Sequence, residues 1–122
     1  MRAALAEALG TGFLLIAVVG SGIMGESLSG GNTGLALLAN ALATGFALYA
    51  LITVLGPVSG AQFNPAVTLY MTLRGEMAAA TAAAYIAAQI AGGILGVWLT
   101  HVMFDLPVLQ LSGTARTGLP QW

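Results

Sequence analysis

From Leu5 to Met24 the chain carries one charged side chain, Glu7, and two further runs, Leu35 to Leu55 and Met77 to about Met103, carry none. A bilayer core about 30 Å thick takes roughly 20 helical residues to cross, so each run is long enough to span. Only 6% of the 122 residues are charged, against about a quarter in an ordinary soluble domain. A water-facing surface could not be covered with so few. The solvent for most of this chain is lipid, and its fold class is an all-α membrane protein.

Composition removes several functions. The net charge is −1 and three residues are basic, which gives no electrostatic footprint for nucleic acid. Cysteine is absent, so disulfides and thiolate metal sites are excluded. His101 is the one histidine and the four acids are scattered. No metal cluster, cofactor motif or nucleophile–base set is present, so neither cofactor nor enzyme activity is expected. Alanine is abundant and glycine numbers 17, which suits helices that approach closely in a bilayer. Ala84, Ala88, Gly92 and Gly96 recur at four-residue steps and form a candidate packing stripe.

The first run could be a cleaved signal segment, with Arg2 ahead of it. Signal cores run about 7–15 residues, shorter than this stretch, and two more spans follow. Gly25 to Thr33 is polar and glycine-rich and reads as an aqueous connector. The segment 56–74 is the unusual one. Gly56-Pro57 is expected to end the second helix, because proline cannot donate to the ladder. After the small, uncharged stretch Val58–Phe63, Asn64 suits a helix N-cap and Pro65 the first helical position. The apolar stretch Ala66 to Leu73 is too short to span, and Arg74-Gly75-Glu76 returns the chain to water. Hydropathy leaves open a re-entrant segment, an interfacial helix or a short packed hairpin. Non-helical backbone at membrane depth survives only when buried in protein or lining a watery cavity. Asp105 to Trp122 reads as an extramembrane tail.

The residues of this segment carry a resemblance. Ser59-Gly60-Ala61-Gln62-Phe63-Asn64-Pro65-Ala66-Val67-Thr68 resembles the first signature of the aquaporin, or major intrinsic protein, family, S-G-x-H-x-N-P-A-V-T. Ala6-Glu7-Ala8-Leu9-Gly10-Thr11 resembles the start of that family's first span. Tyr85-Ile86-Ala87-Ala88-Gln89 with Gly92 resembles its third, and Thr117 to Trp122 the linker before its fourth. Gln62 stands where the family usually has histidine. The matches cover nearly the whole chain as the family's N-terminal half: three transmembrane helices plus one re-entrant half-helix.

The resemblance implies a passive channel for water or small uncharged solutes. Its pore motif would be Asn64, Pro65 and Ala66, with the backbone of Gly60, Ala61, Gln62 and Phe63 lining the path. Asn64 would cap the half-helix through its side-chain oxygen and offer its amide N–H groups to the pore; the alternative is a purely structural cap. The helix N-terminus adds about half a positive charge against cations and protons. The family's glutamate at Glu7 holds loop backbone; otherwise Glu7 would snorkel to the interface. Gln89 is expected to hydrogen-bond the loop from the interior. By its spacing from Asn64, Thr44 matches the second-span residue of the family's outer constriction. Phenylalanine there goes with water selectivity and tryptophan with glycerol. A smaller, polar threonine favours glycerol, urea or undissociated arsenite. The plain alternative is a packing threonine bonded to its own backbone. Phe46 could instead project into the pore, but positions two apart on a helix face apart.

Half a fold cannot enclose a pore, so a partner is expected besides the lipid bilayer: a complementary half-channel chain, or a second copy inserted in the opposite orientation. Arg2 and Arg74 on one side and Arg116 on the other give too little bias to exclude dual topology. The family implies a homo-oligomer, a tetramer. A multi-pass place in a cell membrane, the bacterial inner membrane, is expected. The competing class is a non-conducting structural or assembly protein, or an orphan fragment of a full-length channel.

Overall fold

Asparagines placed just ahead of two of the apolar stretches start helices there, as their short polar side chains dictate. A computed structural model describes residues 1–110. Its helices are α1 (Arg2–Leu28), α2 (Thr33–Ser59), α3 (Pro65–Leu73) and α4 (Ala79–Met103). The Asn32 side chain accepts from Leu35 N–H at 3.0 Å at the start of α2. That of Asn64 accepts from Ala66 N–H at 2.8 Å at the start of α3. Helices α1, α2 and α4 are long and apolar enough to cross a membrane, and α3, at 9 residues, is not.

Two boundaries differ from expectation. Helix α1 continues through Gly25-Glu26-Ser27-Leu28, so the aqueous connector shrinks to a turn at Ser29–Asn32 in which Gly30 and Gly31 take positive φ. Helix α2 does not stop at Gly56-Pro57 but runs through Pro57 to Ser59. Proline in a last turn removes one ladder bond and leaves the later N–H groups free to bond. The stop is Gly60, at φ 87°, whose N–H closes on the Gly56 carbonyl at 2.8 Å. Only glycine enters that left-handed region without penalty.

Helix α1 is the centre of the bundle, packed against both α2 and α4, while α3 rests on α4. The α1–α4 crossing is a small-residue seam. A Cβ added at Gly92 would fall 2.0 Å from the Ala8 carbonyl oxygen, and one at Gly96 2.4 Å from that of Gly12. Backbone meets backbone here because no side chain intervenes. Of the expected stripe, Gly92 and Gly96 are buried, Ala88 is half-buried and Ala84 is exposed. The buried face of α4 is instead Ala82, Tyr85, Gln89, Gly92, Gly93, Gly96 and Thr100. Its steps of three and four residues follow the helical period, whereas a strict four-residue stripe drifts around the helix and carries Ala84 off the contact.

Helix α2 contrasts with this seam. Ser59 is its one buried residue. Leu37, Leu38, Leu42, Phe46 and Tyr49 are all exposed, as a lipid or protein partner requires. Beyond α4, residues 105–110 fold back on its end. The His101 ring lies 3.0 Å from the Val108 carbonyl through Nδ1, and Leu106 N–H donates to the His101 carbonyl at 2.8 Å. The rest of the tail, with Arg116 and Thr117 to Trp122, lies outside the described residues.

Candidate functional site

A carboxylate in an apolar span is costly unless it is paired or richly hydrogen-bonded. Glu7 is fully buried, which removes the snorkelling alternative, and its donors come from the end of α2, the loop that follows it and α4. Ser59 Oγ donates to Oε1 at 2.6 Å and Gln62 N–H to the same oxygen at 3.0 Å. Phe63 N–H donates to Oε2 at 2.7 Å and Gln89 Nε2 to the same oxygen at 2.8 Å. Both oxygens of an acceptor-only group are thereby used, by bonds of the stronger, charge-assisted kind.

This clamp explains an otherwise unfavourable backbone. Ala61 and Phe63 sit at φ 49° and 48°, where residues with a Cβ are strained by about 1–3 kcal/mol each. Turning the chain sharply at these positions points the N–H groups of Gln62 and Phe63 at one carboxylate. Ser59 Oγ also accepts from Ala61 N–H at 3.1 Å, and Tyr85 Oη donates to the Ser59 carbonyl at 2.9 Å. The Phe63 ring is buried against Gly10, where an added Cβ would lie 2.0 Å from the ring. Gly10 is thus the notch in α1 that admits the loop.

A second layer joins the loop to α3 and α4. Thr68, fully buried, donates from Oγ1 to Gln62 Oε1 at 2.6 Å. It receives Gln89 Nε2 at 2.9 Å. Gln89, 1% exposed, therefore bridges Glu7 and Thr68. Glu7, Gln62, Phe63 and Gln89 meet in one network. Ser59, Thr68 and Tyr85 belong to it as well, and sequence reasoning gave them no role. The usable signal was their polarity: each places a hydroxyl in a mostly apolar environment and must find a partner.

Asn64 and Pro65 lie at the open edge of this structure. Asn64 is exposed, and its oxygen is engaged in the cap. Its amide nitrogen makes no hydrogen bond among the described residues. Asn64 itself lines a cleft of about 460 Å³, with Thr11, Leu15 and Phe63 and with Gln89, Gly93 and Trp98 of α4. No charged side chain lines the cleft. Ala66 is exposed in the first turn of α3, Gly60 is exposed, and Ala61 is half-buried.

Thr44 stands apart from this cluster. It follows Asn40 by one turn on the face of α2 that meets α1, where Asn40 Nδ2 donates to the Val18 carbonyl at 2.7 Å and to Ser21 Oγ at 2.9 Å. Thr44 Oγ1 is shielded from solvent and has no partner among the described residues. It does not bond its own backbone, as a packing threonine would. Phe46 projects outward and is 72% exposed.

The site is thus a loop anchored on a buried carboxylate, feeding an asparagine-capped half-length helix set among long apolar ones. The major intrinsic protein family model matches residues 1–119. The chain belongs to that family. It is 54% identical over 121 residues to Aquaglyceroporin AqpS of Rhizobium meliloti (strain 1021), covering 99% of this chain and 52% of that protein. It is 34% identical over 116 residues to the probable aquaporin PIP2-8 of Arabidopsis thaliana, covering 95% and 42%. Human Aquaporin-2 is 34% identical over 123 residues, covering 96% and 44%. The chain spans about half the length of these curated relatives.

Proposed function

We propose that this chain forms one half of a passive pore for water or small uncharged solutes, with Asn64 as its central hydrogen-bonding group. The observation that carries this reading is the division of labour within one side chain. The Asn64 oxygen is consumed by the cap at Ala66 N–H, which leaves the amide nitrogen as this side chain's free group beside the uncharged cleft that Asn64 lines. A water or solute oxygen can accept from it. A cation meets the positive amino end of α3, worth about half an elementary charge, in a cleft with no carboxylate to compensate. In this reading α3 is re-entrant: its polar, strained loop is buried against Glu7 and its amino end lines a watery cavity, the two conditions under which irregular backbone survives at depth. Gly60 to Phe63 would supply the loop wall of the path, with Pro65 and Ala66 beginning the half-helix.

The described residues flank Asn64 on one side. The other wall would come from a complementary half-channel segment, joined or separate, or from a second, inverted copy of this chain. Burying the exposed faces of α2 suits a homo-oligomer. The Rhizobium relative supports a bacterial inner membrane as the location. Thr44 is the selectivity candidate. A buried hydroxyl without a partner costs about 1–3 kcal/mol, and a rotamer change toward a passing solute would relieve that cost. Its small size favours glycerol, urea or arsenous acid over strict water selectivity.

Stopped-flow swelling of proteoliposomes, comparing water, glycerol and arsenous acid, tests the proposal. Faster solute entry than in protein-free vesicles, abolished by Asn64→Leu, is expected. Well-inserted protein that moves none of the three would favour a non-conducting structural role.

A further inference from the structure

In a bilayer, an asparagine inside an apolar helix finds its partners on a neighbouring helix. Asn40 does so from the middle of α2. The Val18 carbonyl of α1 can only accept, so the amide must turn its nitrogen toward it, at 2.7 Å. The second Nδ2 proton goes to Ser21 Oγ at 2.9 Å, and Ser21 Oγ in turn donates to the same Val18 carbonyl at 3.3 Å. The three groups close a triangle in which every side-chain proton is placed. Helix α1 carries glycine where α2 comes near. A Cβ added at Gly22 would lie 3.4 Å from Asn40 Nδ2, and one at Gly25 3.1 Å from the Ala36 carbonyl oxygen.

Elsewhere α2 has little that is directional. Among the described residues its only other side-chain hydrogen bond to α1 is that of Ser59 to Glu7, at the far end of the helix. In lipid, close packing and hydrogen bonds rather than apolar burial decide which faces meet. The Asn40 triangle is therefore what fixes the rotation and depth of α2 at this level. Thr44 lies four residues on, one turn along the same face. Its hydroxyl is sealed and has no partner among the described residues, so no side-chain bond of its own holds it in place.

We propose that Asn40 is a positioning residue for selectivity. By pinning α2 to the Val18 carbonyl it sets where the Thr44 side chain stands, and through Thr44 the ratio in which glycerol-class solutes and water pass. A carboxamide suits the task. It does not titrate in the physiological range, and its two N–H groups lie in one plane, so bonding both fixes orientation as well as distance. The assignment rests on the half-pore reading, in which Thr44 is the selectivity candidate.

Two measurements on the chain in lipid bilayers test it. The first is the tie itself. With Asn40 side-chain ¹⁵N and Val18 carbonyl ¹³C labels, rotational-echo double-resonance NMR should show a direct dipolar contact. Its absence would overturn the proposal without any variant. The second is the glycerol-to-water permeability ratio in proteoliposomes, read for Asn40→Leu with Thr44 intact and with Thr44→Val. A several-fold change of the ratio with Thr44 intact, shrinking toward no change with Thr44→Val, is expected. A purely structural role would lower both fluxes in proportion and leave the ratio where it was. That result, or an equal change in both backgrounds, would overturn the proposal. Ser21→Ala removes one of the two bonds and serves if Asn40→Leu does not insert. Its ratio should move by a smaller factor, and an unmoved ratio would overturn the tie's role. An unsubstituted chain that conducts nothing would overturn the half-pore reading and this role with it. Conduction with an unaltered ratio would overturn this role alone.

Discussion

The α1–α4 seam and the α2 face are built from similarly apolar sequence, yet they do opposite things. At the seam, glycine backbone touches backbone and a buried carboxylate gathers donors from the loop. Along α2, Ser59 alone is buried and most large side chains point outward. The difference lies in small residues and polar anchors rather than in hydrophobicity. In lipid, apolar surface gives helices no reason to associate, so close packing and hydrogen bonds decide which faces meet. The fixed half of the molecule holds the loop, and the open half offers surface to lipid or to another wall.

Paired glycine substitutions should break this contrast most visibly. Gly92→Leu drives a side chain into the Ala8 carbonyl and should cost about 3 kcal/mol, the upper part of the usual overpacking range. Gly45→Leu on α2, with nothing within 4 Å of its added Cβ, should change stability little. Reversible unfolding in mixed micelles measures both, and equal losses would contradict the contrast.

Next in size is Glu7→Gln. It replaces an acceptor with a donor opposite loop N–H groups and should cost about 2 kcal/mol, within the range for bonds to charged groups. The effect should be local, with hydrogen exchange rising at Gln62 and Phe63 before it rises along α4. Uniform loss of protection would mean that the carboxylate holds the bundle rather than the loop.

Smaller again is Asn64→Ala, which removes the cap of α3 and should cost about 1 kcal/mol while reducing solute flux much more than that stability loss implies. Thermal unfolding set beside vesicle swelling separates the two effects. The smallest is Thr44→Val. Removing a buried, partnerless hydroxyl should leave stability unchanged or raise it by up to about 1 kcal/mol. Any change in the ratio of glycerol to water flux would then report selectivity rather than folding.

Much of this was legible in the residues themselves. The three spans follow from run length, and Asn64-Pro65 announces the start of a short helix by its cap chemistry. Glu7 and Gln89 are legible as polar groups that an apolar span must satisfy. Three features were not. Pro57 looks like a stop, but a proline in a final turn sacrifices one bond, and Gly60, with its left-handed φ, is the true terminator. Thr68 and Ser59 sit inside the loop motif, yet which acceptor each serves depends on where α1 and α4 place Glu7 and Gln89. The orientation of α2 was hidden for a different reason: an apolar helix without a polar face gives no periodic signal for which side is buried.

The central claim is that α3 dips into the membrane and presents Asn64 to water at depth. The chain has no cysteine, so single cysteines at Asn64, Val67 and Leu73 can carry spin labels without background. Their depth and water accessibility in bilayers, measured by power-saturation EPR against oxygen and a polar nickel complex, test it most directly. The expected result is a label near the surface at Leu73, deeper at Val67, and deepest at Asn64 yet still reached by the polar reagent. Three labels at one headgroup depth, or a deep Asn64 label that only oxygen reaches, would contradict it.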